Sequence, residues 1–169
     1  LVDIPHEIVV ADDDSPDRTW EVAEHIAERD PSVKVLRRFH DPGLSASVLD
    51  GMAFARGRSL AVIDADLQHD PSILPEMVQL ITDGEADVVV GSRSTAGGGY
   101  GDWSLGRRFV SWVATLIARL LLRVPVSDPM SGYFVVSRAA YEKTAPHINP
   151  RGFKILLEIL VSQPELRVS

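Results

Sequence analysis

The sequence predicts an α/β fold, a doubly wound, mostly parallel sheet flanked by helices. Three observations predict it. Over residues 7–90, short apolar runs suited to strands alternate with longer segments of helical periodicity, in the order strand, helix, strand, helix, strand, helix, strand. The runs are apolar throughout rather than alternating, the pattern of strands buried on both faces. They also stop in acidic or polar clusters, at the carboxyl ends where open α/β sheets bind ligands.

The first run, EIVVA over 7–11, ends at Asp12, Asp13 and Asp14, followed by Ser15 and Pro16. Such a cluster is either a ligand face or a plain turn, because Asp, Ser and Pro are turn formers. Asp17 or Ser15 is placed to cap a helix over 18–29, whose apolar stripe is Trp20, Val22, Ala23 and Ile26. Asp30-Pro31 stops it. A strand over 33–36 leads to Arg37 and Arg38, a cationic pair that either faces phosphates or is solvated. After the turn at Pro42-Gly43, residues 44–55 carry Leu44, Val48, Met52 and Ala55 at helical spacing. Gly51 permits close packing there, and Gly57 closes the helix.

The stretch SLAVIDADLQHDP, 59–71, organises the rest. Its run Leu60, Ala61, Val62, Ile63 reads as a strand buried on both faces. Asp64, Asp66 and Gln68 then alternate with Ala65 and Leu67, and in an extended chain residues two apart point the same way. Two carboxylates ~4 Å apart repel by about 4 kcal/mol at an effective dielectric of ~20, and a divalent cation removes that repulsion. Carboxylate and amide oxygens suit Mg²⁺ or Mn²⁺. The plainer reading is a polar strand end, with Asp66 or Asp70 capping the next helix. That helix covers 71–81, burying Ile73, Leu74, Met77, Leu80 and Ile81. A strand over 86–90 and the tripeptide Gly91-Ser92-Arg93 follow.

Residues 94–102, STAGGGYGD, form either a flap over a site or a linker. A helix over 104–123 carries Arg107 and Ser111 one turn apart, where they could share one phosphate or simply face solvent. The rest of it is apolar nearly all round. It is too short, and too interrupted by Arg119, to span a bilayer, so it is buried, faces a partner helix or lies on a membrane surface. A polar turn over 127–132 precedes a strand over 133–136, and a short helix begins near Arg138. Pro150-Arg151-Gly152 breaks the chain before a helix over 153–161, on which Lys154 and Glu158 form an i, i+4 surface pair. Residues 164–169 run toward another strand.

The 169 residues suffice for one domain with a sizeable core, and 45% hydrophobic with 24% charged content is ordinary for a soluble fold. A net charge of −7 argues against nucleic acid as the partner. Without cysteine there are no disulfides and no thiolate metal sites. The five histidines show no metal-ligand spacing, His69 alone lying near the acidic stretch. The chain opens on Leu1 and stops inside a strand-like run, so 1–169 is expected to be a single catalytic domain truncated at both ends.

Taken in order, DDDSPDRTW, IDADLQHDP, GSR, GGGYGDWSLGRRFVS, DPMSG and GFKILLEIL resemble the polyprenyl- and dolichyl-phosphate mannosyltransferases. These are inverting glycosyltransferases of the nucleotide-diphospho-sugar transferase, glycosyltransferase A-type fold. The resemblance implies transfer of mannose from GDP-mannose to a polyprenyl phosphate, assisted by Mg²⁺ or Mn²⁺. It places Asp64, Asp66 and Gln68 at the metal, and Ala11, Asp13, Asp64, Ala65 and Asp66 at the nucleotide sugar. Arg93, Arg107 and Ser111 fall at the acceptor phosphate, with Asp66, Arg93 and Arg107 in the catalytic role. Asp128 and Lys154 lie in family motifs. A strand preceding Leu1, peripheral contact with a membrane and a place on its cytoplasmic face are implied as well. Glucosyl transfer from UDP-glucose is the alternative within the class. Outside it stand a non-catalytic nucleotide-sugar-binding module and a phosphatase using Asp64 as nucleophile. The phosphatase pattern wants Thr or Ser where Gln68 stands.

Overall fold

The structure, a computed structural model, describes residues 4–91, 128–129, 131–152 and 154–169. The alternation expected from the sequence is present. In order come β1 (Ile8–Asp12), α1 (Thr19–Ala27), β2 (Val33–Arg37), α2 (Leu44–Phe54) and β3 (Ser59–Ile63). A 3₁₀ turn (Pro71–Ile73) runs into α3 (Leu74–Thr82), followed by β4 (Val88–Val90) and β5 (Tyr133–Ser137). The chain continues through α4 (Arg138–Thr144), a second 3₁₀ turn (Ala145–His147) and α5 (Ile155–Ser162). Residues 94–102 and 104–123, read as flap and long helix, lie outside the described residues.

The α/β class holds, but the sheet is mixed rather than mostly parallel. β1 pairs in parallel with β2, Ile8 opposite Val33 and Asp12 opposite Arg37. A second sheet has the order β3-β5-β4, with β5 antiparallel to both neighbours. Runs of apolar residues report burial, not strand direction. The direction is set by the return of the chain. Gly91 N–H donates to Tyr133 O over 2.9 Å, so the chain re-enters the sheet beside the point where it left. A parallel strand would instead need a crossover to the far end. The C-terminal run does approach the sheet, Val168 bridging Val88 in parallel.

The second sheet is covered on both faces, as the continuous apolar runs require. On one face Leu60, Val88, Phe134 and Val136 pack with Met52 of α2, Tyr141 of α4 and Leu156 and Ile159 of α5. On the other, Val89, Tyr133 and Val135 lie under Leu74, Met77 and Ile81 of α3. β5 is buried over Tyr133–Val136 on both sides. β3, expected to be buried on both faces, is not: Leu60 is buried, whereas Ile63 is 44% exposed. Helix α3 lies over Tyr133 and Val135 and touches β3, but Ala61 and Ile63 on that face stay exposed.

The two sheets are joined through α2. A Cβ on Gly51 would stand 3.6 Å from that of Ala11, so the glycine lets α2 lie close on β1. Val48, Leu49 and Met52 of the same helix belong to the core of the second sheet. No helix among the described residues is long and apolar enough to cross a membrane.

Candidate active site

The parallel register of β1 and β2 brings the acidic cluster after β1 against the two arginines after β2. Neither alternative for those arginines holds: they face carboxylates, not phosphate and not open solvent. Arg37 pairs with Asp14 at 2.5 Å, and its guanidinium lies 3.4 Å from the Trp20 ring centroid. Arg38 is 7% exposed, and all five of its N–H donors have acceptors. Its Nε donates to Asp50 Oδ2 at 2.7 Å. Its Nη1 donates to Asp13 Oδ1 and to Ser47 Oγ. Its Nη2 donates to the carbonyls of His40 and Asp41.

Asp13 is correspondingly engaged. Its Oδ2 accepts from Gly43 N at 2.7 Å, and its Oδ1 accepts from Ser47 Oγ at 2.8 Å as well as from Arg38. Burial works to raise the pKa of this carboxyl. The Gly43 amide, the Ser47 hydroxyl and the Arg38 guanidinium outweigh it and hold the group below the usual carboxylate range. Asp12 makes the expected turn, its Oδ1 accepting from Ser15 N at 2.8 Å. Asp17 caps the start of α1 by accepting from Thr19 N at 3.1 Å. The Ala11 side chain is turned under α2, so only its backbone is left to meet a ligand.

The expectation that Asp64, Asp66 and Gln68 line one side of an extended strand is not met. β3 ends at Ile63, and the chain then turns. Leu67 has φ +60°, and Asp66 Oδ1 accepts from Gln68 N at 3.0 Å. The strand period therefore stops at Asp64. Asp66 does organise local backbone, as the plainer reading held, while Asp70 caps the 3₁₀ turn through Ser72 N at 2.9 Å. Ala65, Asp66 and Gln68 are exposed and Asp64 is half-buried.

Asp64 owes its position to Gly132. Its N–H donates to Gly132 O at 3.2 Å, and its carboxylate lies across the glycine Cα. A Cβ on Gly132 would overlap that carboxylate, standing only 2.7 Å even from its farther oxygen. Ser131 ties the same turn to the end of β4, its Oγ donating to Gly91 O at 2.9 Å. A cavity of about 50 Å³ opens here, lined by Asp64, Ser131, Gly132 and Lys154 over an apolar floor that includes Val48 and Phe134. The segments DAD, DPMSG and GFK thus meet, with Leu44 of α2 on the cavity wall beside the Gly43 that holds Asp13. The Lys154–Glu158 surface pair is not what occupies Glu158: its Oε2 accepts from Asn149 N at 2.6 Å. Arg93, Arg107 and Ser111 lie outside the described residues.

The donor set fits a hard divalent cation. Asp64 and Asp66 sit one residue apart in a single turn, Gln68 adds an amide oxygen, and the Gly132 cradle leaves the Asp64 carboxylate no bulk behind it. Among the described residues no three His, Cys, Asp or Glu side chains cluster closely enough to cage an ion. A Mg²⁺-type site of one or two carboxylates, completed by substrate phosphates, needs no such cage.

Two residues that frame this site, Ser47 and Tyr133, carried no signal of their own in the sequence, and the parts played by Arg38 and Gly132 differ from what their motifs suggested. The Tyr133 ring fills the space over Gly91, where a Cβ would stand 3.0 Å from its Cγ, and it meets the His69 ring at 5.2 Å between centroids. The aromatic pair thereby links His69, just after the DAD turn, to Gly91. The pairing of Arg38 with Asp13 was recoverable, since each follows its strand directly and the strands are parallel neighbours.

Comparison with known proteins bears on this geometry. The chain is 42% identical over 163 residues to a dolichol-phosphate mannosyltransferase of Pyrococcus furiosus, covering 95% of this chain and 45% of that protein. It is 37% identical over 160 residues to one of Saccharomyces cerevisiae, covering 94% and 58%. The chain therefore spans about half the length of the curated relatives it matches. Its fold superposes on glucosyl-3-phosphoglycerate synthase from Mycobacterium tuberculosis in complex with Mn²⁺, UDP-glucose and phosphoglyceric acid. There the TM-score is 0.64 at 20% identity, covering 92% of this chain and 52% of that one. The same enzyme with Mn²⁺, UDP and glucosyl-3-phosphoglycerate gives a TM-score of 0.66 at 21% identity, covering 96% and 57%.

One expectation is corrected by these structures. The fold is found holding a uridine donor, a glucosyl group and an acceptor without lipid, so mannosyl transfer from GDP-mannose to a polyprenyl phosphate does not follow from it. The description of "Glycosyl transferase family 2" matches residues 3–145, and the chain belongs to that family.

Proposed function

We propose that the chain is the donor-binding portion of a metal-assisted glycosyltransferase that takes a nucleotide sugar of the UDP-glucose type and delivers the sugar, with inversion, to a phosphate-bearing acceptor. The observation that carries this reading is the meeting of Asp64, Ser131, Gly132 and Lys154 on one cavity at the carboxyl end of β3. Membership of the family and the complexes of the glucosyl-3-phosphoglycerate synthase support it.

Asp64 and Asp66, with Gln68, would hold Mg²⁺ or Mn²⁺. The ion, when bound, supplies Lewis-acid stabilisation of the nucleotide diphosphate as it leaves. The protein's own residues do the rest. Asp13 accepts a hydrogen bond from the nucleoside, and the backbone at Ala11 and Ala65 lies along the donor. Gly132 fixes the Asp64 carboxylate before substrate arrives, so that no reorganisation is needed during reaction. The nucleophile is a phosphate oxygen, and a phosphate monoester with a second pKa of about 6 is already ionised at neutral pH. No general base is required. Arg93, Arg107 and Ser111 are assigned to the acceptor phosphate, whose charge must be met before two anions approach.

The test is calorimetric titration of the full-length protein with UDP-glucose and with GDP-mannose, each with Mn²⁺ and with chelator. Binding of UDP-glucose that disappears on chelation is expected, and binding indifferent to the metal overturns the metal assignment. Transfer assays with 3-phosphoglycerate and with a polyprenyl phosphate then separate a small acceptor from a lipid one. Transfer to lipid would place the reaction at a membrane surface. Transfer to neither, with donor bound, would identify a binding module instead of an enzyme.

A further inference from the structure

We propose that Arg38 is a positioning residue of the nucleoside site: it fixes the Asp13 carboxylate so that one acceptor direction alone remains for the nucleotide. The proposal rests on the reading of Asp13 as the nucleoside contact and goes beyond it.

A carboxylate offers about four acceptor directions, two on each oxygen. On Asp13, Oδ1 is filled twice, by Arg38 Nη1 and Ser47 Oγ, and Oδ2 once, by Gly43 N. One direction on Oδ2 is left. The three donors come from three places: the end of β2, the first turn of α2 and the loop before it. The carboxylate is therefore triangulated rather than merely neutralised. A side chain so fixed can accept one N–H or O–H from a nucleoside and cannot rotate to serve another geometry.

Arg38 is suited to this by its own saturation. The guanidinium is 7% exposed, and its remaining donors go to Asp50, His40 O and Asp41 O, on the side away from Asp13. A planar fork with five fixed donors holds its partner's plane as well as its distance, which a lysine ammonium cannot do. Arg38 itself has no donor left for a ligand, so its influence on the nucleotide passes through Asp13. Ser47 assists by accepting from Arg38 over 2.8 Å and sharing its one hydroxyl hydrogen between the same Asp13 oxygen, at 2.8 Å, and Gly43 O, at 2.9 Å.

The test compares two probes in the full-length protein with Mn²⁺. UDP carries both nucleoside and diphosphate, and inorganic pyrophosphate carries only the latter. Arg38→Lys keeps the charge and loses the fork. It is expected to weaken UDP about tenfold, the worth of one charge-assisted hydrogen bond at the low end, and to leave pyrophosphate unchanged. Ser47→Ala, a milder change, is expected to weaken UDP by about threefold with the same selectivity. Equal loss for both probes would show a role confined to holding the fold, and no loss for UDP in either variant would overturn the proposal outright. Asp13→Asn separates the two levels. If it leaves UDP binding intact, the nucleoside reading of Asp13 fails and takes the proposal with it. If it weakens UDP while Arg38→Lys and Ser47→Ala do not, the nucleoside reading stands and only the positioning role of Arg38 is lost.

Discussion

Gly132→Ala adds one methyl group in the most exacting place of the candidate site. The backbone does not oppose the change, since the described glycines with left-handed φ are Gly43 and Gly84. The whole effect comes from the new Cβ, which would overlap the Asp64 carboxylate and lie 2.7 Å from its farther oxygen. Carbon and oxygen need roughly 3.3 Å or more, the range of the closest favourable C···O contacts. The carboxylate must therefore swing off its position. Overpacking of this kind costs about 1–3 kcal/mol in stability. Misplacing a metal ligand through its support typically costs 10–100-fold in metal affinity. The assay is calorimetric titration of UDP-glucose at fixed Mn²⁺, beside a thermal melt. A 10–100-fold loss of metal-dependent binding is expected, with a cooperative melt lowered by a few degrees. The double variant with Asp64→Ala sharpens the test: with the carboxylate gone, the Gly132 methyl has nothing to displace, and adding it should cost little further stability or binding. Wild-type donor affinity and an unshifted melt in Gly132→Ala would refute the cradle and the placement of Asp64 at the metal together.

Other outcomes follow from the same coordinates. Asp66→Asn keeps an acceptor for Gln68 N, so the turn and the melt should hold while metal-dependent donor binding is lost; retained binding would remove Asp66 from the metal. Tyr133→Phe deletes a buried hydroxyl that has no hydrogen-bond partner among the described residues, and the melting temperature should stay level or rise, whereas a clear fall would reveal a partner for that oxygen. The Arg167 guanidinium, beside Asp87, holds its carboxyl below the ordinary carboxylate range against the opposing effect of burial. A depressed folded pKa stabilises above the unfolded value and loses that contribution as pH falls through the folded one. Asp87→Asn should therefore lower the melt at neutral pH, and its effect should fade as acid protonates the carboxyl in the folded as well as the unfolded chain. A difference that persisted undiminished in acid would contradict the ion pair.

The extent to which this protein is legible from its sequence differs by level. The strand–helix alternation was readable because burial on two faces writes continuous apolar runs, and Val88, Val89 and Tyr133–Val136 are buried as those runs imply. Strand direction was not readable, because an apolar run looks the same either way; β5 shows it. The acidic residues announced a ligand face, yet their geometry did not follow from period-two counting, since Leu67 at φ +60° turns the chain where a strand would have continued. Long-range partners were least visible. Nothing around Gly132 in the sequence announces that its missing Cβ makes room for Asp64, 68 positions earlier, and nothing around Arg38 announces a bond to Ser47.

The chain leaves the second sheet at Gly91 and comes back at Ser131, and these two points are bonded to each other directly and through Tyr133. The ends of the intervening segment are thus stapled together by the sheet itself, whatever lies between them. The entropy of closing a segment between two fixed points grows only with the logarithm of its length, so closure itself is nearly indifferent to how long that segment is. Of the residues proposed for the donor, Asp13, Asp64 and Asp66 precede the staple, whereas Gly132, which positions Asp64, and Lys154 follow it. A different segment joined between these two points would inherit the same frame of bonds among Gly91, Ser131 and Tyr133, provided that the residue after Ser131 stays a glycine and leaves room for Asp64.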